Sequence, residues 1–105
     1  MSLITSALGK RKRKKENTAF SLTIDYPQEG EHVTSKNYTF RIGAGANLQQ
    51  VEVSINGGSW LPCRATSGYW WYDWRGYQSG SQILLARGFT DTGEDVISPR
   101  RQFIT

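Results

Sequence analysis

Residues 51 to 74 read VEVSINGGSWLPCRATSGYWWYDW: an alternating run, a turn, a return run bearing Trp60, and then an aromatic cluster. Val51, Val53 and Ile55 alternate with Glu52, Ser54 and Asn56, the period-two pattern of a strand with one buried and one wet face. Asn56, Gly57 and Gly58 follow, residues that tolerate the positive φ of tight turns between antiparallel strands. A hairpin is predicted, with residues 60–64 as the return strand. Pro62 has no N–H to donate, which places this strand at a sheet edge or a bulge.

The same pattern extends in both directions. Phe20, Leu22 and Ile24 alternate with Ser21, Thr23 and Asp25 until Tyr26-Pro27 stops the run, and Phe40 and Ile42 are the inward positions of a strand over 38–42. A third strand covers 49–55. In 69–74, Trp70, Tyr72 and Trp74 share one face, and Tyr69, Trp71 and Asp73 share the other. Residues 75–81 form a Gly- and Ser-rich loop. Residues 82–90 carry Ile83-Leu84-Leu85-Ala86, apolar on both faces as in a central strand, and a last strand spans about 96–104. About seven short antiparallel strands joined by turn signals, with no stretch at helical spacing, predict an all-β, immunoglobulin-like two-sheet sandwich.

Length and composition agree with this picture. A chain of 105 residues makes one domain, and an aromatic fraction of 12% fills a small core that has few aliphatic side chains. Charge divides the chain in two. Lys10, Arg11, Lys12, Arg13, Lys14 and Lys15 hold 6 of the 13 basic residues; the other 7 face 9 acidic residues, so residues 16–105 sum to −2 although the whole chain is +4. Residues 1–18 therefore read as a disordered basic arm, and residues 19–105 as the sandwich.

Six consecutive cations attract nucleic acid or an anionic membrane surface, so these partners are assigned to the arm alone. The competing reading of the run is a solubilising tail or linker. No aromatic side chain is interleaved with it to stack on bases. The short apolar stretch in residues 1–9 precedes the basic run, the reverse of a secretory signal, and no segment approaches the roughly 18–20 apolar residues of a transmembrane span. The chain reads as cytoplasmic if it is complete, and as exported if it is a domain cut from a longer protein.

Catalytic chemistry is hard to assemble from these residues. One cysteine, Cys63, and one histidine, His32, cannot supply a zinc site, and Cys63 reads as a packing residue. No GxSxG, P-loop or GxGxxG motif occurs. Asp91, Glu94 and Asp95 have calcium-ligand chemistry but read as a solvated acidic turn. No catalytic activity, metal or cofactor is expected.

The run VEVSINGGSW, followed by YWWYDW and GSQILLARGFTDTGEDVISP, is similar to the carboxy-terminal immunoglobulin-like domain of the sulfite oxidase family, the early-set sandwich known as its dimerisation domain. Val51-Glu52-Val53-Ser54, Gly57-Gly58, Trp60, Trp71 with Trp74, Ala86-Arg87 and Asp91 with Gly93 carry the resemblance, which covers roughly residues 20–104. It implies an early-set sandwich that self-associates, with Trp71 and Trp74 in the core. The family's molybdenum-cofactor domain is missing and Cys63 matches no cofactor ligand, so the oxidase activity is not implied.

The function expected is that of a non-catalytic protein-interaction or structural accessory module, with a protein partner or a second copy of itself. Carbohydrate binding is the alternative, because Trp and Tyr rings on a sheet face stack on sugars. Trp70, Tyr72 and Tyr77 are the candidate stacking residues, alongside Lys10, Arg11, Lys12, Arg13, Lys14 and Lys15 for polyanions.

Overall fold

The computed structural model describes residues 22–45 and 48–105. The basic run Lys10–Lys15 and the start of the first predicted strand, Phe20 and Ser21, lie outside the described residues. Nine strands follow in order: β1 (Leu22–Tyr26), β2 (Asn37–Ala44), β3 (Leu48–Ile55), β4 (Leu61–Pro62), β5 (Arg64–Thr66), β6 (Tyr69–Arg75), β7 (Ser81–Thr90), β8 (Asp95–Ile97) and β9 (Arg101–Ile104). Among the described residues there is no helix. One sheet has the order β1-β2-β6-β5; the other has β4-β3-β7-β8, with β9 also paired to β7. All the strand pairs are antiparallel. The fold is the predicted two-sheet sandwich.

Two of the seven predicted strands are each broken in two. In 60–64, Leu61 pairs with Val53 of β3, whereas Arg64 pairs with Trp71 of β6 in the opposite sheet, so the chain changes sheets at Cys63. Pro62 sits on the edge strand β4, where its missing N–H costs no ladder bond. In 96–104, Pro99 interrupts the ladder along β7. Ser98 fills the gap: its Oγ accepts from the Ala86 N–H at 3.0 Å, and its own N–H donates to the Ala86 carbonyl at 2.8 Å.

The turns follow their residues. Asn56 and Gly57 have φ of 53° and 76°, and the Gly58 N–H closes onto the Ile55 carbonyl at 3.0 Å, the mirror-image geometry that Asn-Gly favours. The Asn56 side chain also accepts from the Ile83 N–H at 2.8 Å, which ties the turn to β7. Ser67 and Gly68, at φ 54° and 80°, make a second turn of the same type between β5 and β6.

The core lies between the sheets. Phe40 and Ile42 of β2 face Val51 and Val53 of β3, Leu84 of β7 and Phe103 of β9, all fully buried. Phe40 meets Phe103 edge-on at 6.0 Å, and Trp74 lies 5.3 Å from Phe40 and 5.7 Å from Phe103. Each fully buried apolar side chain contributes about 1.5–3 kcal/mol. The large rings do what a few more aliphatics would do in a larger domain.

Candidate functional site

Because the chain alternates strictly along β6, this strand presents aromatic rings to both sides of its sheet. Trp70, Tyr72 and Trp74 turn inward and pack on the core; Tyr69, Trp71 and Asp73 turn outward. Two of the candidate stacking residues, Trp70 and Tyr72, are thus half-buried against the core, with their faces used in packing. Tyr72 stacks near Phe40 at 6.1 Å. The third, Tyr77, stacks on Trp74 with centroids 3.9 Å apart and gives its hydroxyl hydrogen to the Ser35 carbonyl. It lines a cleft of about 670 Å³ at one end of the sandwich, together with His32, Lys36, Gln78, Ser79 and Thr105.

The rings turned away from the core are different ones: Tyr26 and Tyr69 are exposed, and Trp71 is half-buried. On the outer face of the four-stranded sheet, the register sets Tyr26 opposite Arg41, Arg41 opposite Trp71, and Trp71 opposite Arg64. One cross-strand row therefore runs Tyr26, Arg41, Trp71, Arg64 over all four strands, about 14 Å at the usual strand spacing. Tyr26 joins it through a register shift between Ile24 and Tyr26, a bulge that turns Asp25 and Tyr26 to the same side. Tyr69 flanks the row, its ring edge-on to Trp71 at 5.9 Å. Tyr26 is 41% exposed and Tyr69 36%.

Charged groups hold these rings in place. The Arg41 guanidinium lies 4.9 Å from the Tyr26 ring centre and 4.3 Å from that of Tyr69, and its Nε donates to Asp25 at 3.2 Å. Gly43 makes room for that carboxylate: a Cβ there would stand 2.9 Å from Asp25 Oδ2. At the other end of the row, Arg64 Nη2 donates to both Asp73 oxygens at 3.1 and 3.2 Å, and Thr39 donates to Asp73 Oδ1 at 2.8 Å. The Thr39 hydrogen bond and then Arg64 hold the Asp73 carboxyl below its ordinary pKa. Trp71 Nε1 donates to the Thr66 carbonyl at 2.9 Å, which fixes the indole against β5.

The other sheet has a different outer face. Ile83, Leu85 and Phe89 of β7 are half-buried there, and Ile97 and Ile104 are 51% and 45% exposed. Arg87 crosses this surface over the Trp60 ring at 4.3 Å and donates to Glu52 at 2.9 Å.

Cys63 is half-buried against the core, and burial, reinforced by Glu52, pushes its thiol up to about 12. Such a thiol stays protonated and is a poor nucleophile. Among the described residues, no three His, Cys, Asp or Glu side chains converge closely enough to hold a metal ion. The acidic turn after β7 closes on itself, Thr90 Oγ1 accepting from the Glu94 N–H at 3.1 Å.

No protein-family model matches the chain, and no curated protein matches it. Solved structures do. A fibronectin(III)-like module of CbhA from Clostridium thermocellum is 23% identical, aligned over 80% of this chain and 93% of the module at a TM-score of 0.68. An engineered protein is 20% identical at a TM-score of 0.68, over 94% of this chain and 21% of its own length. A modular endo-β-1,4-mannanase from Cellulomonas fimi is 22% identical at 0.63, over 80% of this chain and 18% of its own. This chain spans nearly all of the first and about a fifth of the other two. At these identities the likeness is one of fold: an immunoglobulin-like sandwich of the fibronectin(III)-like kind.

Proposed function

We propose that this domain is a non-catalytic accessory module that binds a polysaccharide through the outer face of its four-stranded sheet. The observation that carries the reading is the row of Tyr26, Arg41, Trp71 and Arg64, with Tyr69 beside it: large rings kept out of a core that needs them, the tyrosines set against the Arg41 guanidinium and the indole held by its hydrogen bond to Thr66. Ring faces supply stacking and the planar polar groups supply hydrogen bonds, which is what binding sites for small polar ligands combine. The matched modular mannanase bears a polysaccharide-acting name, and the likeness covers less than a fifth of it, which suits an accessory role for such a sandwich.

The test is a pull-down of the whole chain on insoluble mannan and cellulose. The chain should be depleted from solution, and Tyr69→Ala with Trp71→Ala should abolish depletion while leaving the melting temperature within a few degrees. Depletion that survives both substitutions would remove the assignment of this face.

A second reading, self-association, is favoured by the exposed Ile97 and Ile104 beside Ile83 and Phe89 on the other sheet. It is also what the resemblance to the sulfite oxidase dimerisation domain implies. The matched structures support the sandwich, and the narrower resemblance rests on the residues quoted for it. Sedimentation equilibrium tests it: a dimer that Ile97→Lys dissociates supports this reading, and a monomer at all concentrations ends it. Polyanion binding through Lys10–Lys15 is a separate proposal, tested by salt-dependent retention on heparin that is lost when the six cations are replaced.

A further inference from the structure

On this reading of the outer sheet face, we propose that its ligand is a neutral polysaccharide, and that the face is built to refuse acidic ones. The row carries two cations, each already matched to a carboxylate. Arg41 is engaged by Asp25 at 3.2 Å, and Arg64 by both oxygens of Asp73 at 3.1 and 3.2 Å. The guanidinium of Arg41 is further enclosed by the rings of Tyr26 and Tyr69. A uronate carboxylate reaching either arginine would have to displace a resident aspartate and then lie beside it, and like charges so juxtaposed are strongly disfavoured. An ammonium sugar meets the mirror problem at Asp25 and Asp73.

A neutral chain meets neither problem. Its hydroxyl groups can accept from the guanidinium N–H groups not spent on aspartate, and can donate to the free lone pairs of the two carboxylates, without breaking a pair. Its C–H faces rest on the exposed rings. Asp73, whose pKa is held down by Thr39 and Arg64, stays ionised into acid, so the charge balance of the row persists there. Arg75, the next outward residue along β6, adds positive charge near Asp73 but lies off the row.

The pairing also predicts how selectivity can be changed. Asp25→Asn with Asp73→Asn would remove both resident carboxylates and leave Arg41 and Arg64 free for an anion. Gly43 is part of the same device, since a Cβ there would push on the Asp25 carboxylate.

The experiment compares retention of the full chain by a neutral soluble glucomannan and by polygalacturonate, both at about 0.5 M NaCl, where a Debye length of roughly 4 Å silences the basic run. The expected result is retention by glucomannan, retention by polygalacturonate at least about tenfold weaker, and a gain of polygalacturonate retention in the Asp25→Asn, Asp73→Asn chain with its melting temperature little changed. Equal or stronger retention of the wild-type chain by polygalacturonate, lost on Trp71→Ala, would overturn neutrality while keeping the saccharide site. Retention by neither polymer would overturn the saccharide reading itself. An unchanged selectivity in the Asp25→Asn, Asp73→Asn chain would also overturn the proposal, because it attributes selectivity to those two carboxylates.

Discussion

The two faces of β6 carry nearly the same chemistry and are put to opposite uses. Trp70, Tyr72 and Trp74 lie against Phe40 and Phe103, where their area is part of the cohesion of the sandwich. Tyr69 and Trp71, one residue out of phase, lie on the far side of the same sheet, where Tyr69 is exposed beside Arg41 and half-buried Trp71 donates to the Thr66 carbonyl. An aromatic residue is thus not core or site by its type. The neighbour across the strand decides: Phe40 and Ile42 of β2 stand on the inner side, Arg41 on the outer.

The largest expected contrast is chemical. Cys63, on the inner side where the chain changes sheets, has its thiol raised to about 12, so it should alkylate at pH 8 about 10³-fold more slowly than a free thiol. Iodoacetamide kinetics followed by mass spectrometry measure this, and a rate near that of a small thiol would show that the inner side is open there. Core rings come next. Phe40→Ala should cost about 3–5 kcal/mol and Trp74→Ala, half-buried, about 3 kcal/mol in urea unfolding. Trp71→Ala should cost only about 1 kcal/mol, the worth of its single hydrogen bond and a little packing. A Trp71 cost as large as that of Trp74 would erase the distinction between the faces.

The smallest effect concerns pH. Asp73 is faced by Thr39 of β2, Arg64 of β5 and Arg75 of its own strand, and its folded pKa is depressed. Its contribution to stability is therefore complete above the ordinary carboxylate pKa of about 3.9 and is lost as pH falls through the lower folded value. Being exposed, it should change the acid limb of the stability curve only slightly. Asp73→Asn should flatten that limb by lowering stability slightly above about pH 5 and leaving it unchanged at the acid end, as read from melting temperature against pH.

Much of this architecture was legible in the chain. Val51 to Ile55 and the Asn-Gly-Gly turn placed β3 and its hairpin, because alternation and positive φ are local properties. The division of β6 into two faces was equally local. The alternation alone does not tell which face is inner, since both carry rings, and so Trp70 and Tyr72 stood as stacking candidates although they pack on the core. The resemblance put Trp71 in the core, whereas its partner across the strand is a charged arginine. A signal was present: the outward positions of β6 end in Asp73 and Arg75, the inward ones in Trp74. The break at Cys63 depends on which sheet each half can reach, a long-range property that Pro62 hints at and does not determine, whereas at Ser98 both halves stay on β7 and Pro99 only interrupts the ladder. The bulge that brings Tyr26 beside Arg41 left no mark in the pattern of apolar positions.

The most direct measurement pairs stability with polysaccharide retention for two single substitutions on the same strand. In Trp71→Ala the melting temperature should stay within a few degrees of wild type while retention on mannan and cellulose is lost. In Trp74→Ala the melting temperature should fall sharply, and the fraction that remains folded in the cold should still be retained. Retention that is unaffected by Trp71→Ala, or that falls in both variants only in proportion to the unfolded fraction, would contradict the assignment of the outer face of this sheet as the binding surface.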